Sequence, residues 1–285
     1  MSPRLFSFSD ADLILRSGPG NIESSVIYDP VEFHVHRCVL AAASPFFESM
    51  LSLPQPPCTE NDGLPTIPFV ERADVLETIL RYIYPIPRPI TVSLDELVDA
   101  LEAARKYDLP AATEGLRKHL LNPEHLRAHP LRVYAIASRY ELEEEARAAS
   151  AATLAVGLRA QAPHEDLKAM SAHAYHRLFL LHARRADAAV ALLQLPCEVR
   201  CRRCSAPAPG YDGGELPVPK WWAPFRERAR EELQARPTSA VVLSMGFLQA
   251  AAKEAGCEQC GTCILASFWW FEQLRQRIDA LPATV

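Results

Sequence analysis

Near the start of the chain, apolar and polar residues alternate. The segment VEFHV, residues 31–35, places Val, Phe and Val on one side of the backbone and Glu and His on the other. A period of two residues predicts a strand with one buried face. The segments DLILRS (12–17) and TIPFV (66–70) predict two more short strands. SSVIY (24–28) predicts another β run on the far side of an Asp-Pro turn.

The spacing of apolar residues then becomes helical. They recur every three or four positions in segments 36–51, 73–85 and 93–110, which predicts amphipathic helices. Ser44-Pro45 divides the first segment into two helices, because Ser is a good N-cap and Pro fits the first helical position. The third segment opens with a Ser-x-x-Glu capping box.

Beyond residue 122 the pattern is helical without strands. A helix pair broken near Tyr140 comes first, and further helices follow up to the end of the chain. The segment 204–222, rich in Gly and Pro, predicts a loop. The fold class is therefore α+β: short strands packed on a helical cluster, followed by an all-α region.

Composition limits the classes of function. The chain has 285 residues, of which 49% are hydrophobic, and a formal net charge of −5. That charge argues against binding to nucleic acid, which usually needs a basic face. No apolar stretch is long enough to span a membrane, and the first residues lack the apolar core of a signal peptide. We expect a cytoplasmic or nuclear protein without a membrane partner.

Sequence signatures of catalysis do not occur in the chain. GxSxG, HExxH and P-loop motifs are all missing from the sequence. No pairing of a nucleophile with a base is visible either. We therefore expect no catalytic residues and a protein that is not an enzyme.

Six of the eight cysteines fall in two clusters near the C-terminal end. Cys201 and Cys204 form one C-x₂-C pair, and Cys257 and Cys260 form another. Two such pairs can complete a tetrahedral Cys₄ zinc site. In a reduced compartment cysteines are more often ligands than disulfides. We predict that these four residues bind a structural zinc ion, with Gly261 supplying a positive φ for the turn.

Two other interpretations of the cysteines stay open. They form a disulfide or redox switch, or they have no special role. In the zinc interpretation, Cys197 and Cys263 are alternative ligands or buried thiols, and Cys263 precedes an apolar helix against which it would pack. Catalytic zinc is disfavoured, because it keeps an open coordination position with three protein ligands, and no His follows His182.

Two aromatic groups dominate the C-terminal region. They are Trp221-Trp222 and the run Phe268-Trp269-Trp270-Phe271. Large aromatic side chains bury much apolar area, so we expect them to form the core of a C-terminal module. The alternative is an exposed groove for a partner.

The N-terminal region resembles a BTB/POZ domain. The resemblance rests on several segments in family order: DADLIL, FHVHRCVLAAASPFFESML, ETILRYIY and ALEAARKYDLPAATEGLRKHL. It covers residues 10–122. Residues 123–195 resemble the helical BACK-type extension of BTB adaptors, and phrases such as PLRVYAIASRYELEEEARAA resemble a fungal (basidiomycete) group of BTB proteins. Residues 196–285 then form a Cys-rich helical module.

The resemblance implies protein–protein interaction without catalysis: self-association, docking of a cullin in a ubiquitin ligase, or recruitment of a corepressor. Asp12 and Arg37 match positions near the dimer interface of dimeric BTB proteins. Few residues precede Asp10, so the swapped N-terminal element of many dimers is missing or minimal. The implied cullin contact lies around the Phe-Phe helix. The implied partner-binding residues are Asp12, Arg37, Phe47, Met50 and Tyr84.

The loop after the Phe-Phe helix departs from the cullin-binding pattern. Cullin-binding relatives often carry a hydrophobic-x-Glu motif there, and Cys58-Thr59-Glu60 matches it poorly. We still expect a substrate adaptor of a cullin-based ubiquitin ligase as the function. The alternative is a transcriptional regulator with a zinc-stabilised C-terminal module.

Overall fold

The computed structural model describes residues 6–19, 29–53, 63–87, 93–160, 162–206 and 217–285. The chain forms two compact units, Met1–His125 and Leu126–Val285. No described helix is both long enough and apolar enough to cross a lipid bilayer.

A three-stranded sheet forms one layer of the first unit. Its strands are β1 (Leu13–Arg16), β2 (Glu32–Val35) and β3 (Thr66–Pro68), in the order β2-β1-β3. β1 runs antiparallel to β2 and parallel to β3. The alternating residues Leu13 and Leu15 are buried. The three strands predicted at 12–17, 31–35 and 66–70 are confirmed, whereas the β run predicted at 24–28 lies outside the described residues.

Five helices pack with this sheet. They are α1 (Arg37–Ala43), α2 (Pro45–Ser52), α3 (Ala73–Ile83), α4 (Leu94–Lys106) and α5 (Pro110–Leu120). The predicted caps are confirmed. The Ser44 side chain accepts a hydrogen bond from the Phe47 backbone N–H at 3.1 Å, with Pro45 as the first helical residue. Ser93 and Glu96 form the capping box of α4.

The core of the first unit joins α2 to the end of α4. The Ser44 hydroxyl donates to the Tyr107 carbonyl oxygen at 2.6 Å, in addition to capping α2. The rings of Phe47 and Tyr107 stack with centroids 5.7 Å apart, and Phe69 packs edge-on against Tyr107. Buried polar and aromatic contacts therefore fix the position of the Phe-Phe helix.

The regular elements of the second unit are all helices among its described residues. Its helices are α6 (Pro123–Ala128), across which the boundary between the units falls, α7 (Pro130–Arg139), α8 (Glu143–Thr153), α9 (Ala172–Ala191), α10 (Trp222–Ala235), α11 (Ser239–Val242), α12 (Met245–Glu254), α13 (Cys260–Ala266) and α14 (Phe268–Asp279). The predicted break near Tyr140 is confirmed. Glu141 takes a left-handed conformation there, with φ of 58°.

One hydrophobic core runs through the C-terminal helices. Ala189 and Leu193, at the end of α9, belong to the same buried cluster as Trp221 and Phe225. The predicted border between residues 195 and 196 thus falls inside one compact unit. The segments on its two sides share a core.

A buried arginine connects α9 to the end of α14. The Arg185 guanidinium donates to the carbonyl oxygens of Pro237, Ile278 and Pro282, each at 2.9 Å. It also donates to the Leu281 carbonyl oxygen. The last carbonyl groups of a helix have no intrahelical partners. The Arg185 side chain donates hydrogen bonds to such groups at the end of α14.

Candidate metal centre and interaction surface

Four cysteine sulfurs converge at the edge of the aromatic core of the second unit. The Sγ atoms of Cys201, Cys204, Cys257 and Cys260 all lie within 4.8 Å of one another. Cys201 Sγ is 3.8 Å from Cys257 Sγ, and Cys204 Sγ is 3.7 Å from Cys260 Sγ. All four thiols are free. The structure therefore brings together the two C-x₂-C pairs that the sequence identifies, and the group could hold a metal ion.

The sulfur–sulfur distances match a tetrahedral site. Zinc–thiolate bonds of about 2.3 Å in a tetrahedron place neighbouring sulfurs about 3.8 Å apart. Two of the sulfur–sulfur distances, 3.7 and 3.8 Å, agree with that spacing, and all of them lie within 4.8 Å. A disulfide would require about 2.0 Å. The geometry favours coordination of one ion over a pair of disulfides.

Tight turns position both cysteine pairs. In the first pair, Ser205 closes the turn: its backbone N–H donates to the Cys201 carbonyl oxygen at 2.9 Å, and its hydroxyl oxygen accepts from the Cys201 N–H at 3.2 Å. In the second pair, the Cys260 N–H donates to the Cys257 carbonyl oxygen at 3.0 Å. α13 begins at Cys260. Local backbone bonds therefore hold each pair in a compact turn.

Backbone amides also point at the sulfurs. The Lys220 N–H donates to Cys204 Sγ at 3.3 Å, and the Trp221 N–H donates to Cys260 Sγ. Amide donors stabilise a thiolate more than a thiol, because they interact with the negative charge. This contribution of residues 220–221 was not predicted. The spacing of the cysteines carries no signal for it, since it arises from the approach of a separate segment.

The thiol pKa values reflect burial and these donors. Burial alone would raise the pKa of Cys201, but the N–H groups of Cys204 and Arg203 and the neighbouring thiols bring it down to about 7. Burial raises the pKa of Cys260 and of Cys204. Four thiolates so close together repel one another, so full deprotonation needs a cation among them.

The glycine that shapes the second turn differs from the predicted one. Gly261 lies within the first turn of α13 and has no positive φ, so the prediction for it was wrong. Gly256, immediately before Cys257, takes φ of 61°. That left-handed residue redirects the chain from α12 into the second cysteine pair.

The two remaining cysteines of the clusters differ from each other. Cys197 is exposed. Cys263 is buried, accepts a hydrogen bond from Trp221 Nε1 at 3.4 Å and donates to the Arg200 carbonyl oxygen at 3.3 Å. Cys263 therefore packs beside the four-cysteine group and connects it to the buried indole of Trp221.

The aromatic residues near this site divide between core and surface. Trp221, Trp222, Trp270 and Phe271 are buried and pack against one another, as predicted for a module core. Phe268 and the neighbouring Trp269 are exposed, so the core prediction is wrong for these two. One run of four aromatics thus serves both sides of α14, because consecutive helical residues point in different directions.

In the first unit, Asp12 and Arg37 lie together. Asp12 Oδ1 accepts a hydrogen bond from the Arg37 backbone N–H at 2.7 Å, at the start of α1. The Arg37 guanidinium donates to the Leu51 carbonyl oxygen at 3.0 Å, at the end of α2. These contacts connect β1, α1 and α2, which is a structural role for both residues.

The other residues predicted to contact a partner differ in exposure. Phe47 and Tyr84 are buried, and the Tyr84 hydroxyl oxygen accepts from the His36 N–H at 2.8 Å. Both side chains therefore pack inside the unit, and their role in partner binding stays a prediction. Met50 is half-buried, while Phe46, on the outer side of α2, is 39% exposed.

The structure does not test the cullin-type motif of the loop after α2. Cys58, Thr59 and Glu60 lie outside the described residues. Phe46 is therefore the large apolar side chain of α2 with the most accessible surface, and the sequence pattern gave no reason to separate it from Phe47.

Comparison with known proteins finds a family match within the first unit. Residues 24–124 match the family of the BTB/POZ domain. The match begins after β1 and ends at α6, so it contains most of the elements of the first unit. No curated protein matches the chain. BTB/POZ domains are protein–protein interaction modules, so this part of the chain is an interaction scaffold.

Proposed function

We propose that the protein is a substrate adaptor of a cullin-based ubiquitin ligase, acting in the cytoplasm or nucleus. The BTB/POZ domain at residues 24–124 carries this proposal. In it, the BTB domain docks the cullin, the helices after residue 125 serve as a BACK-type extension, and the C-terminal helices hold the client protein.

The outer side of α2 is the proposed cullin contact. Phe46 exposes a large apolar surface there, and its ring packs 5.4 Å from the Tyr107 ring. Tyr107 is fixed by its carbonyl bond to Ser44 and by its hydroxyl contact to Glu71. A rigid, partly exposed aromatic is a favourable anchor for a partner, because little conformational entropy is lost when it binds.

A structural zinc ion is part of the proposal. Four thiol ligands at tetrahedral spacing, with backbone amides donating to the sulfurs, form a donor set that suits zinc. Four protein ligands leave no open position for substrate, so the ion would stabilise the fold without taking part in a reaction. It would fix the α9–α10 connection to the turn before α13.

Affinity purification from extract of cells that express the protein tests the adaptor proposal. The full chain is tagged, and recovered proteins are quantified by mass spectrometry. We expect a cullin among them. Phe46→Glu should lower its recovery at least tenfold. The matched control is Val70→Glu, which also changes an exposed apolar residue of the first unit and should leave recovery unchanged.

Two outcomes would contradict the adaptor proposal. One is reproducible absence of a cullin. The other is recovery of chromatin proteins in its place, which would favour the transcriptional regulator. Melting temperatures of both variants must match the wild type, so that loss of the cullin reports on contact rather than on folding.

A further inference from the structure

An exposed apolar ridge crosses the junction of α13 and α14. Leu265, Phe268 and Trp269 are 62, 64 and 46% exposed. Their spacing of three and four residues places them on one side of a nearly continuous helix. Ser267, between the two helices, keeps a helical hydrogen bond to the Cys263 carbonyl oxygen at 3.0 Å. These three residues form what we call the ridge.

The ridge is held rigidly from beneath. The core of the second unit buries Ile264, Trp270 and Phe271, which are neighbours of the ridge residues along the chain. On α13, Cys260 belongs to the four-cysteine group and Cys263 packs beside it. A fixed backbone presents these apolar side chains in one orientation, which lowers the entropic cost of binding.

The size of the ridge limits what can cover it. A whole aromatic side chain buries about 150–250 Å², so the exposed fractions give the ridge roughly 300–400 Å². A stable protein pair needs about 800 Å² on each partner. The ridge is too small to hold a second copy of the chain alone. It suits one helix or a similarly short segment.

Charge around the ridge gives no preference for either sign. Glu272 and Arg275 follow it on the same side of α14, and they pair with each other at 3.6 Å. The two charges that continue the ridge along α14 therefore cancel. A partner would be recognised by its apolar side chains, and ionic strength would have little influence.

We propose that the ridge binds one amphipathic helix of a client protein, with large apolar residues one helical turn apart. Rows of side chains at spacings of three and four pack into the grooves of a second helix. This inference deepens the proposed adaptor function, because it assigns the client-binding surface. It does not depend on the identity of the protein that docks at the BTB domain.

Two displayed peptide libraries of identical composition test this binding. In one, apolar residues recur at i, i+3, i+4 and i+7 over 18 positions; in the other, the same residues are scrambled. Both are selected on the zinc-loaded full chain. We expect enrichment from the patterned library alone. Selected peptides, synthesised with a fluorophore, should bind in the micromolar range by anisotropy and change affinity less than twofold between 50 and 300 mM salt.

Matched variants locate the binding surface. Phe268→Ser combined with Trp269→Ser should weaken peptide binding at least tenfold. Tyr175→Ser combined with Phe179→Ser removes two aromatics that are 47 and 49% exposed on α9 of the same unit, and should change affinity less than twofold. Both double variants should keep the zinc content and melting temperature of the wild type, because the substituted side chains are exposed.

Three results would overturn the inference. These are equal enrichment from the scrambled library, unchanged binding by the ridge variant, or a dimer in sedimentation experiments that the ridge variant abolishes. Cullin recovery by the ridge variant separates this test from the adaptor test. A ridge that binds no helix in a protein that still recovers a cullin would leave the adaptor proposal standing.

Discussion

The two compact units reach a stable core in different ways. The first packs helices on a three-stranded sheet, and its cysteines take no part in a described cluster. The second has helices alone among its described residues and brings four cysteines to the edge of an aromatic core. The four thiolates of the second unit would repel one another without a cation, so the proposed zinc ion would be needed to hold Cys201 and Cys204 to the start of α13. Removal of metal should therefore affect the units unequally.

The largest expected effect is loss of the second unit when one of the proposed zinc ligands is removed. Cys260→Ser should cost roughly 5 kcal/mol or more, because structural zinc contributes on the order of 10 kcal/mol to folding. Hydrogen exchange followed by mass spectrometry would read each unit separately. Fast exchange should appear at residues 192–285 and not in the helices of the first unit. Cys197→Ser, at an exposed cysteine of the same region, is the control and should exchange like the wild type.

Replacement of Arg185 should give the next largest loss of unfolding free energy in the second unit. Arg185→Ala removes the donors for four carbonyl oxygens at the end of α14 and in the loop before α11. Leaving such groups unpaired should cost about 3 kcal/mol, measured by urea denaturation. Arg184→Ala changes the exposed neighbour and should stay within about 0.5 kcal/mol of the wild type. Equal effects of the two changes would show that the carbonyl contacts contribute nothing.

Within the first unit, replacement of Ser44 should lower the unfolding free energy more than replacement of the other serines near α2. Ser44→Ala removes the cap of α2 and the bond to the Tyr107 carbonyl oxygen, for a loss of about 1–2 kcal/mol. Ser52→Ala, at the exposed end of the same helix, is the matched control. Hydrogen exchange should speed up in α2 and leave the second unit unchanged. A response confined to the second unit would contradict the role of Ser44 in the core of the first unit.

His182 should produce the smallest effect, which is a pH dependence of the stability of the second unit. Burial lowers the pKa of His182 from 6.5 to about 4, and its Nε2 lies 2.9 Å from Thr153 Oγ1. Between those pH values the unfolded chain binds a proton that the folded chain excludes. The contribution of neutral His182 to the unfolding free energy is therefore fully present above about pH 6.5. It falls by about 1–2 kcal/mol at pH 5.

Comparison with His182→Gln isolates this contribution, because the variant shares every other titrating group. The difference in unfolding free energy between wild type and variant should shrink as the pH falls from 7.5 to 5. A constant difference over that range would exclude a role for His182 in the pH dependence.

Much of the first unit could be predicted because its signals are local. Alternation in 31–35, the cap at Ser44 and the Ser93–Glu96 box each specify an element from neighbouring residues, and all are confirmed. The exposure of Phe46 and burial of Phe47 could not be predicted. Consecutive residues of one helix differ only by the direction of packing, which tertiary contacts decide.

In the second unit, the C-x₂-C spacing predicted which four cysteines converge, because two pairs suffice for a tetrahedral set. The amides of residues 220–221 and the left-handed Gly256 could not be predicted in the same way. Both depend on how distant segments approach the site. The division of the aromatic run 268–271 between core and ridge likewise depends on which face of α14 packs inward.

Native mass spectrometry of the untagged full chain, purified without chelators, tests most directly whether four cysteines hold the second unit through a metal. The wild type should carry one zinc ion per chain, and Cys201→Ser combined with Cys260→Ser should carry none. Cys38→Ser, at an exposed cysteine of the first unit, should retain the ion. A metal-free, fully folded wild type, or a double variant that keeps its zinc, would contradict the account.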